Sequence, residues 1–88
     1  MELELKRHIM TDLGQEYCEL LEGHELNEHV YGIMKEKVRN EYDSEIWEMV
    51  DSEENEDEFD FDDILYEIMI EVEALGNYYF ENNQKGDN

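Results

Sequence analysis

Apolar residues recur along the chain in three stretches, each with the spacing of one face of an α-helix. The first stretch repeats at steps of three and four residues and comprises Leu5, Ile9, Leu13, Tyr17 and Leu20/Leu21. It predicts helix one from Glu2 to Glu22, with Gly23 as a left-handed C-terminal cap. Gly14 lies inside this helix, where glycine costs about 1 kcal/mol relative to alanine. A break near Thr11 and Asp12 is therefore an alternative to a continuous helix.

The second stretch has the same spacing and comprises Leu26, Val30, Ile33/Met34, Val38, Tyr42, Ile46 and Val50. It predicts a single helix two that starts at Glu25 or Asn27 and ends at Val50. A kink at Asp43-Ser44 is the alternative, with Ser44 capping a separate final segment that holds Trp47.

The third stretch comprises Phe61, Leu65, Ile68, Val72, Leu75 and Tyr79. It predicts helix three from Asp62 to Asn82, capped by Asp60 or Asp62, with first-turn acids that suit the helix dipole. Tyr66, Met69 and Ile70 widen the apolar sector of this helix. Either a dimer seam or a central helix wrapped by the other two would use that width.

Together the three stretches predict an all-α fold, a small three-helix antiparallel bundle with an acidic linker before the third helix. We expect a single helical domain over residues 1–83 and a disordered tail over 84–88. A chain of 88 residues buries only about 60 to 65% of its unfolded surface. Self-association would add buried apolar area, so a homodimer is also expected.

Negative charge is distributed unevenly along the chain, whose formal net charge is −21. The residues before Asn40 contain nine acids and five Lys or Arg, whereas residues 40–84 contain seventeen acids and no Lys or Arg. The stretch DSEENEDEFDFDD, from Asp51 to Asp63, alone holds nine acids. Anionic membranes and nucleic acids would repel such a chain, so we expect it to bind neither directly. The start MELELKRH lacks the pattern of a signal peptide, and we expect a cytoplasmic protein.

Acids also follow one another at helical spacing, in the series Glu41, Glu45 and Glu48, the series Asp63, Glu67 and Glu71, and the series Asp12, Glu16, Glu19 and Glu22. Each like-charged pair at this spacing costs a helix about 0.2 to 0.5 kcal/mol. An ordinary solvated face would intersperse lysines and avoid that cost. The pattern therefore favours negative charge as the functional property over simple solubility.

Two motifs with metal-ligand character fail on spacing. In HELNEH, His24 and His29 are five residues apart, whereas a zinc-peptidase helix needs histidines at i and i+4. An EF-hand loop counted from Asp51 would have Glu56 in place of its glycine and Asp62 in place of its last glutamate. We expect no metal site and no cofactor.

An enzyme is not expected either. The chain has no nucleophile motif and no glycine-rich phosphate loop, and its size leaves little room for a cleft that could shift the pKa of a carboxylate. Cys18 is the single cysteine, so it cannot form an internal disulfide, and we interpret it as a small, partly buried helix residue.

The acid and aromatic mixture of EFDFDDILYEIMIEVEALGNYYFE resembles the acidic helices of small DNA-mimic inhibitors from phages and mobile elements. Ocr-like anti-restriction proteins and several anti-CRISPR proteins belong to this class. The resemblance covers Glu41 to Glu81 and lies in size, acid excess and helical acid stripes. It implies a non-enzymatic inhibitor that occupies the DNA-binding groove of a restriction enzyme, CRISPR effector, repair enzyme or nucleoid protein in a bacterial cytoplasm.

The predicted partner is therefore a basic DNA-binding protein or nuclease of the host. The acids expected to replace DNA phosphates are Glu41, Glu45, Glu48, Asp51, Glu53, Glu54, Glu56, Asp57, Glu58, Asp60, Asp62, Asp63, Glu67 and Glu71. Two other functions are alternatives. One is a regulatory adaptor that docks a partner through an apolar helix face, with the acids serving solubility. The other is a divalent-cation binder.

Overall fold

The computed structural model describes residues 5–52 and 58–85. These residues form four helices, α1 (Arg7–Glu22), α2 (Asn27–Glu41), α3 (Asp43–Val50) and α4 (Phe61–Lys85), and no strand. The predicted all-α class is confirmed for this part of the chain. The predicted number of three helices is corrected to four, because the second apolar stretch forms two helices. Of the predicted tail, residues 84 and 85 belong to α4, and 86–88 lie outside the described residues.

α1 ends where the sequence predicts, but its cap differs. The helix is continuous through Gly14, so the alternative break is not formed. Gly23 is not left-handed, because its φ is −78° and its N–H still donates to the backbone oxygens of Glu19 and Leu20. The left-handed residue is His24, with φ 69°. Histidine is one of the residue types that enter this region more readily than most.

The break between α2 and α3 falls at Tyr42, whose φ is −122° and ψ 23°. Tyr42 still links the two helices, since its N–H donates to Val38 O and its carbonyl oxygen accepts from Ile46 N–H. A straight helix would turn Ile46 about 160° away from Val30, at 3.6 residues per turn. The break allows both side chains to be buried. The predicted cap at Ser44 is wrong, because α3 begins at Asp43 and Ser44 lies inside it.

α4 begins at Phe61, one residue before the predicted start, and Asp60 precedes it as the cap. Asp60 Oδ1 accepts the N–H of Asp63 at 3.0 Å, and Asp63 Oδ2 accepts the N–H of Asp60 at 3.3 Å. This reciprocal pair is a capping box in which aspartate takes the place of the usual glutamate or glutamine. The predicted capping by Asp60 is confirmed.

α4 is the central helix of the fold. It packs against each of the other three helices and most extensively against α1. Its buried face carries Ile64, Leu65, Ile68, Met69 and Val72. Of the three residues that widen its apolar sector, Met69 is buried, whereas Tyr66 and Ile70 are exposed.

The molecule is elongated, with Cα extents of 49 × 21 × 18 Å. Among the described residues, no helix is both long enough and apolar enough to span a bilayer. The exposed acids therefore lie on an elongated molecule.

Candidate partner-binding surface

The structure places ten of the fourteen predicted partner-binding acids on its surface. All ten are exposed: Glu41, Glu45, Glu48, Asp51, Glu58, Asp60, Asp62, Asp63, Glu67 and Glu71. The other four, Glu53, Glu54, Glu56 and Asp57, lie outside the described residues. The ten exposed acids lie at the end of α2, along α3, just before α4 and in the first half of α4.

Three of these acids line one open groove of about 1100 Å³. Glu45 and Glu48 reach it from α3, and Glu71 reaches it from α4. Lys6 and Arg7, at the start of α1, line the same groove. The sequence did not predict this placement, because the two bases are far from the acids along the chain. The groove is therefore mixed in charge.

Some of the predicted acids have partners within the molecule. Lys37 forms ion pairs with Glu16 of α1 and, at 3.7 Å, with Glu41. The hydrogen bond from Lys37 to Glu16 raises the pKa of the lysine, so Lys37 stays charged. Asp60 and Asp63 already bond each other at the start of α4. These local roles make Glu41, Asp60 and Asp63 weaker candidates for contacts with a partner.

Within the described chain, a second group of acids makes no side-chain hydrogen bond or ion pair and is free to meet a partner: Glu45, Glu48, Asp51, Asp62, Glu67 and Glu71. Neighbouring acids at i and i+4, such as Glu67 and Glu71, have Cβ atoms about 5 to 6 Å apart. Lys and Arg side chains of a partner could engage several of them at once.

Large aromatic side chains are exposed beside these acids. Trp47 is 51% exposed, Tyr66 58% and Tyr78 60%. The Trp47 ring packs against Phe61 with centroids 5.0 Å apart and an interplanar angle of 44°. Only part of the Trp47 ring therefore serves packing within the chain. Acids four residues before and after Trp47 were the signal that could have marked it as a surface residue.

A polar cluster joins α1, α2 and α4 next to the core. The hydroxyl of the buried Tyr17 donates to Asn27 Oδ1 at 2.6 Å, and Asn27 Nδ2 donates to Glu73 Oε2 at 2.8 Å. Asn77 Nδ2 also donates to Asn27 Oδ1, at 3.2 Å. Burial, together with the nearby Glu73 carboxylate, raises the pKa of Tyr17. Every group in this cluster has a partner, so the cluster stabilises the fold and offers no open ligand site.

Cys18 is a buried residue of α1, and the groups around its thiol make the thiol unreactive. Cys18 Sγ donates to Glu22 Oε1 at 3.1 Å, and Asn83 Nδ2 donates to Cys18 Sγ at 3.4 Å. Burial and the Glu22 carboxylate raise the pKa of the thiol to about 11. A thiol that is protonated at neutral pH is a poor nucleophile and metal ligand.

Metal binding finds no support in the described part of the chain, where no group of three or more His, Cys, Asp or Glu side chains is arranged around a common point. His24 and His29 are both exposed, and His29 Nδ1 lies 2.7 Å from Glu25 Oε2. The EF-hand register counted from Asp51 runs through residues 53–57, which lie outside the described residues.

No protein-family model matches the chain, and no curated protein or solved structure shows significant similarity to it. The functional argument therefore rests on the exposed acids and on the surface around them.

Proposed function

We propose that this protein is a DNA mimic that inhibits a basic DNA-binding protein by occupying its DNA-binding site. One observation carries the proposal: the chain has no Lys or Arg from Asn40 to Gln84, and every predicted partner-binding acid that the structure describes in that region is exposed. Like charges at helical spacing cost stability. This surface keeps its acids at helical spacing despite their repulsion and has no lysines between them. Such a surface is suited to replacing a row of phosphates.

The shape of the molecule supports the same function. Duplex DNA carries about one charge per 1.7 Å of axis, or roughly 29 charges over the 49 Å length of this protein. The net charge of the chain is −21, which approaches that number. A DNA-binding groove that engages phosphates with Lys and Arg would meet a similar density of negative charge on a body of similar proportions.

The proposed partner is a host restriction enzyme, CRISPR effector, or nucleoid or repair protein, in a bacterial cytoplasm. Clefts of one charge sign attract an oppositely charged molecule over long range and accelerate its association. The proposal includes neither catalysis nor a cofactor. The protein itself would not bind nucleic acid or membranes, because its charge has the same sign as theirs.

Charge reversal with a matched control tests the proposal. The protein is first immobilised and used to capture partners from a bacterial lysate treated with DNase. Glu48→Lys with Glu67→Lys changes two exposed acids of the base-free region, whereas Glu19→Lys with Glu36→Lys makes the same charge change elsewhere on the surface. We expect the first variant to lose affinity for the captured partner on the order of tenfold or more, and the control to lose much less.

An equal loss in both variants would indicate that only total charge matters. No loss in either variant would rule out the acidic surface as the binding element. Thermal unfolding of both variants confirms that the comparison is made between folded proteins.

An adaptor function is the second candidate, and exposed apolar side chains favour it. Tyr66 and Ile70 lie one turn apart on α4 and are 58% and 41% exposed. An adaptor would bury this pair against its partner and keep the acids for solubility. In that case Tyr66→Ser with Ile70→Ser abolishes capture, whereas Glu48→Lys with Glu67→Lys leaves it nearly intact. A DNA mimic would instead lose capture with Glu48→Lys and Glu67→Lys and keep it nearly intact with Tyr66→Ser and Ile70→Ser.

The homodimer is also a proposal, with the Tyr66 and Ile70 pair as the apolar surface available for it. Repulsion between two chains of net charge −21 opposes association and is screened by salt. Sedimentation of the full chain at low and high salt tests this proposal. A dimer fraction that grows with salt supports it, and a monomer at all salt concentrations overturns it.

A further inference from the structure

Trp47 is the only tryptophan in the chain, and half of its side chain faces solvent. The ring packs in a tilted arrangement on Phe61 at the start of α4, which restrains the indole and leaves half of the side chain exposed. Tryptophan is one of the residue types enriched among the interface residues that dominate binding energy.

Two acids flank this ring on the same side of α3. Asp43 precedes Trp47 by four residues and Asp51 follows it by four, and both are exposed. The N–H of Asp51 donates to the Trp47 carbonyl oxygen at 3.0 Å, so the helical spacing continues through Asp51. Side chains at i and i+4 of a helix are neighbours, with Cβ atoms about 5 to 6 Å apart. The indole therefore has one carboxylate on each side along the helix axis.

The geometry points to a binding site for an arginine side chain of the partner protein. We propose that the guanidinium group stacks on the exposed part of the Trp47 ring and donates hydrogen bonds to Asp43 and Asp51. This inference extends the proposed function, since it rests on a basic protein partner and names the side chain that the partner supplies.

Arginine fits this surface better than lysine does. Its guanidinium is planar, stacks on aromatic rings and presents several N–H donors in fixed directions that match carboxylates. Lysine presents a compact, strongly hydrated charge, which gains less from a ring face. Among the described residues, neither Asp43 nor Asp51 forms an ion pair with a Lys or Arg of the chain. Charge complementarity therefore favours a cation from another molecule.

Fluorescence of the single tryptophan reports binding at this site. The full-length protein is titrated at fixed salt with a short arginine-glycine peptide and with a lysine-glycine peptide of equal length and charge. We expect a saturable change in Trp47 emission with both peptides, and an affinity about two- to fivefold higher for the arginine peptide. Equal affinities, or an emission change that does not saturate, would overturn the proposal.

A matched pair of acid variants separates this site from general charge attraction. Asp43→Asn with Asp51→Asn removes the two acids beside Trp47. Glu28→Gln with Glu36→Gln removes two exposed acids with the same eight-residue spacing on α2, where Gly32 takes the central position. We expect the first variant to lose the preference for the arginine peptide and the second to keep it. Loss of the preference in both variants would contradict a site at Trp47.

The same variants distinguish this inference from the DNA-mimic proposal. Displacement of duplex DNA from a captured partner without any arginine preference would remove the Trp47 site and leave DNA mimicry intact. A preference for the arginine peptide, together with a captured partner that duplex DNA does not displace, would support the Trp47 site and rule out DNA mimicry. Trp47→Phe, followed by thermal unfolding, verifies that loss of the indole does not simply unfold α3.

Discussion

Gly76 of α4 lies directly against the ring of Tyr17 of α1. A Cβ atom at position 76 would be 2.5 Å from Tyr17 Cδ1, a distance that real Cβ contacts do not show. Gly14 of α1 makes a similar approach to α4, since a Cβ there would be 2.8 Å from Leu75 Cβ. The two glycines allow α1 and α4 to pack closely, and they orient the buried Tyr17 toward Asn27.

Glycine substitutions should therefore have opposite effects at two helical positions. Gly76→Ala should destabilise the protein by about 1 to 3 kcal/mol, because the new methyl group overlaps Tyr17. Gly32→Ala should stabilise it by about 0.5 to 1 kcal/mol, because a Cβ at position 32 meets nothing within 4 Å and alanine favours the helix. Chemical denaturation of both variants measures these changes. No destabilisation at position 76 would show that the close contact of α1 and α4 is wrong, and destabilisation at position 32 would contradict the open surface there.

Alkaline pH should destabilise the fold through Tyr17. The pKa of Tyr17 is raised above its ordinary value of 10.0, mainly by burial. Above about pH 10 the unfolded chain therefore binds fewer protons than the folded chain, and stability falls as pH rises. Tyr17→Phe should remove this contribution and lose about 1 kcal/mol at neutral pH from the missing hydrogen bonds.

The control for this titration is Tyr78→Phe, which changes a tyrosine that is 60% exposed. Denaturation midpoints between neutral and alkaline pH should decline in the control as in the parent protein. An equally steep decline in Tyr17→Phe would assign the alkaline sensitivity to other groups.

Asp60 should contribute to stability through the capping box at the start of α4. Asp60→Ala removes the acceptor for the Asp63 N–H and should cost about 1 kcal/mol. Asp60→Asn should cost less, because asparagine caps helices nearly as well. Thermal unfolding of the two variants measures the difference. Equal losses would mean that the negative charge, and not the cap, is what matters at this position.

Cys18 should react slowly with thiol reagents in the folded protein at neutral pH. Its pKa is raised to about 11 by burial and by Glu22, so the nucleophilic thiolate is scarce. Reaction with an aromatic disulfide reagent, followed by absorbance, should be much slower in buffer than in denaturant. Glu22→Gln should accelerate it modestly. A folded-state rate equal to the denatured rate would contradict the buried position of the thiol.

Local spacing predicted much of this fold. The apolar repeat located α1 and α4 because residues three and four apart share a helix face. For the second stretch it predicted one helix, with a kink at Asp43-Ser44 only as the alternative, because the apolar repeat continues through the break that the structure has at Tyr42. The hydrogen bond between Asn27 and Glu73 was also not predictable, since the two residues meet only when α2 packs on α4.

The candidate surface was predictable to a similar extent. Acids without nearby bases remain solvated, so the exposure of residues such as Glu48 and Glu67 followed from composition and helical position. Placement of Lys6 and Arg7 in the groove with Glu71 depended on the packing of α1 against α4. The exposed half of Trp47 was not predicted either, because apolar periodicity does not distinguish a core residue from one at the edge of the core.

Competition with duplex DNA for one binding site is the property that defines a DNA mimic. The measurement uses the partner captured from lysate and follows its complex with this protein at about 50 and about 200 mM salt, with and without added duplex. We expect the affinity to fall steeply with salt and the duplex to displace the protein completely. An affinity independent of salt, or a ternary complex in which the partner holds both duplex and protein, would show that the acidic surface does not imitate DNA.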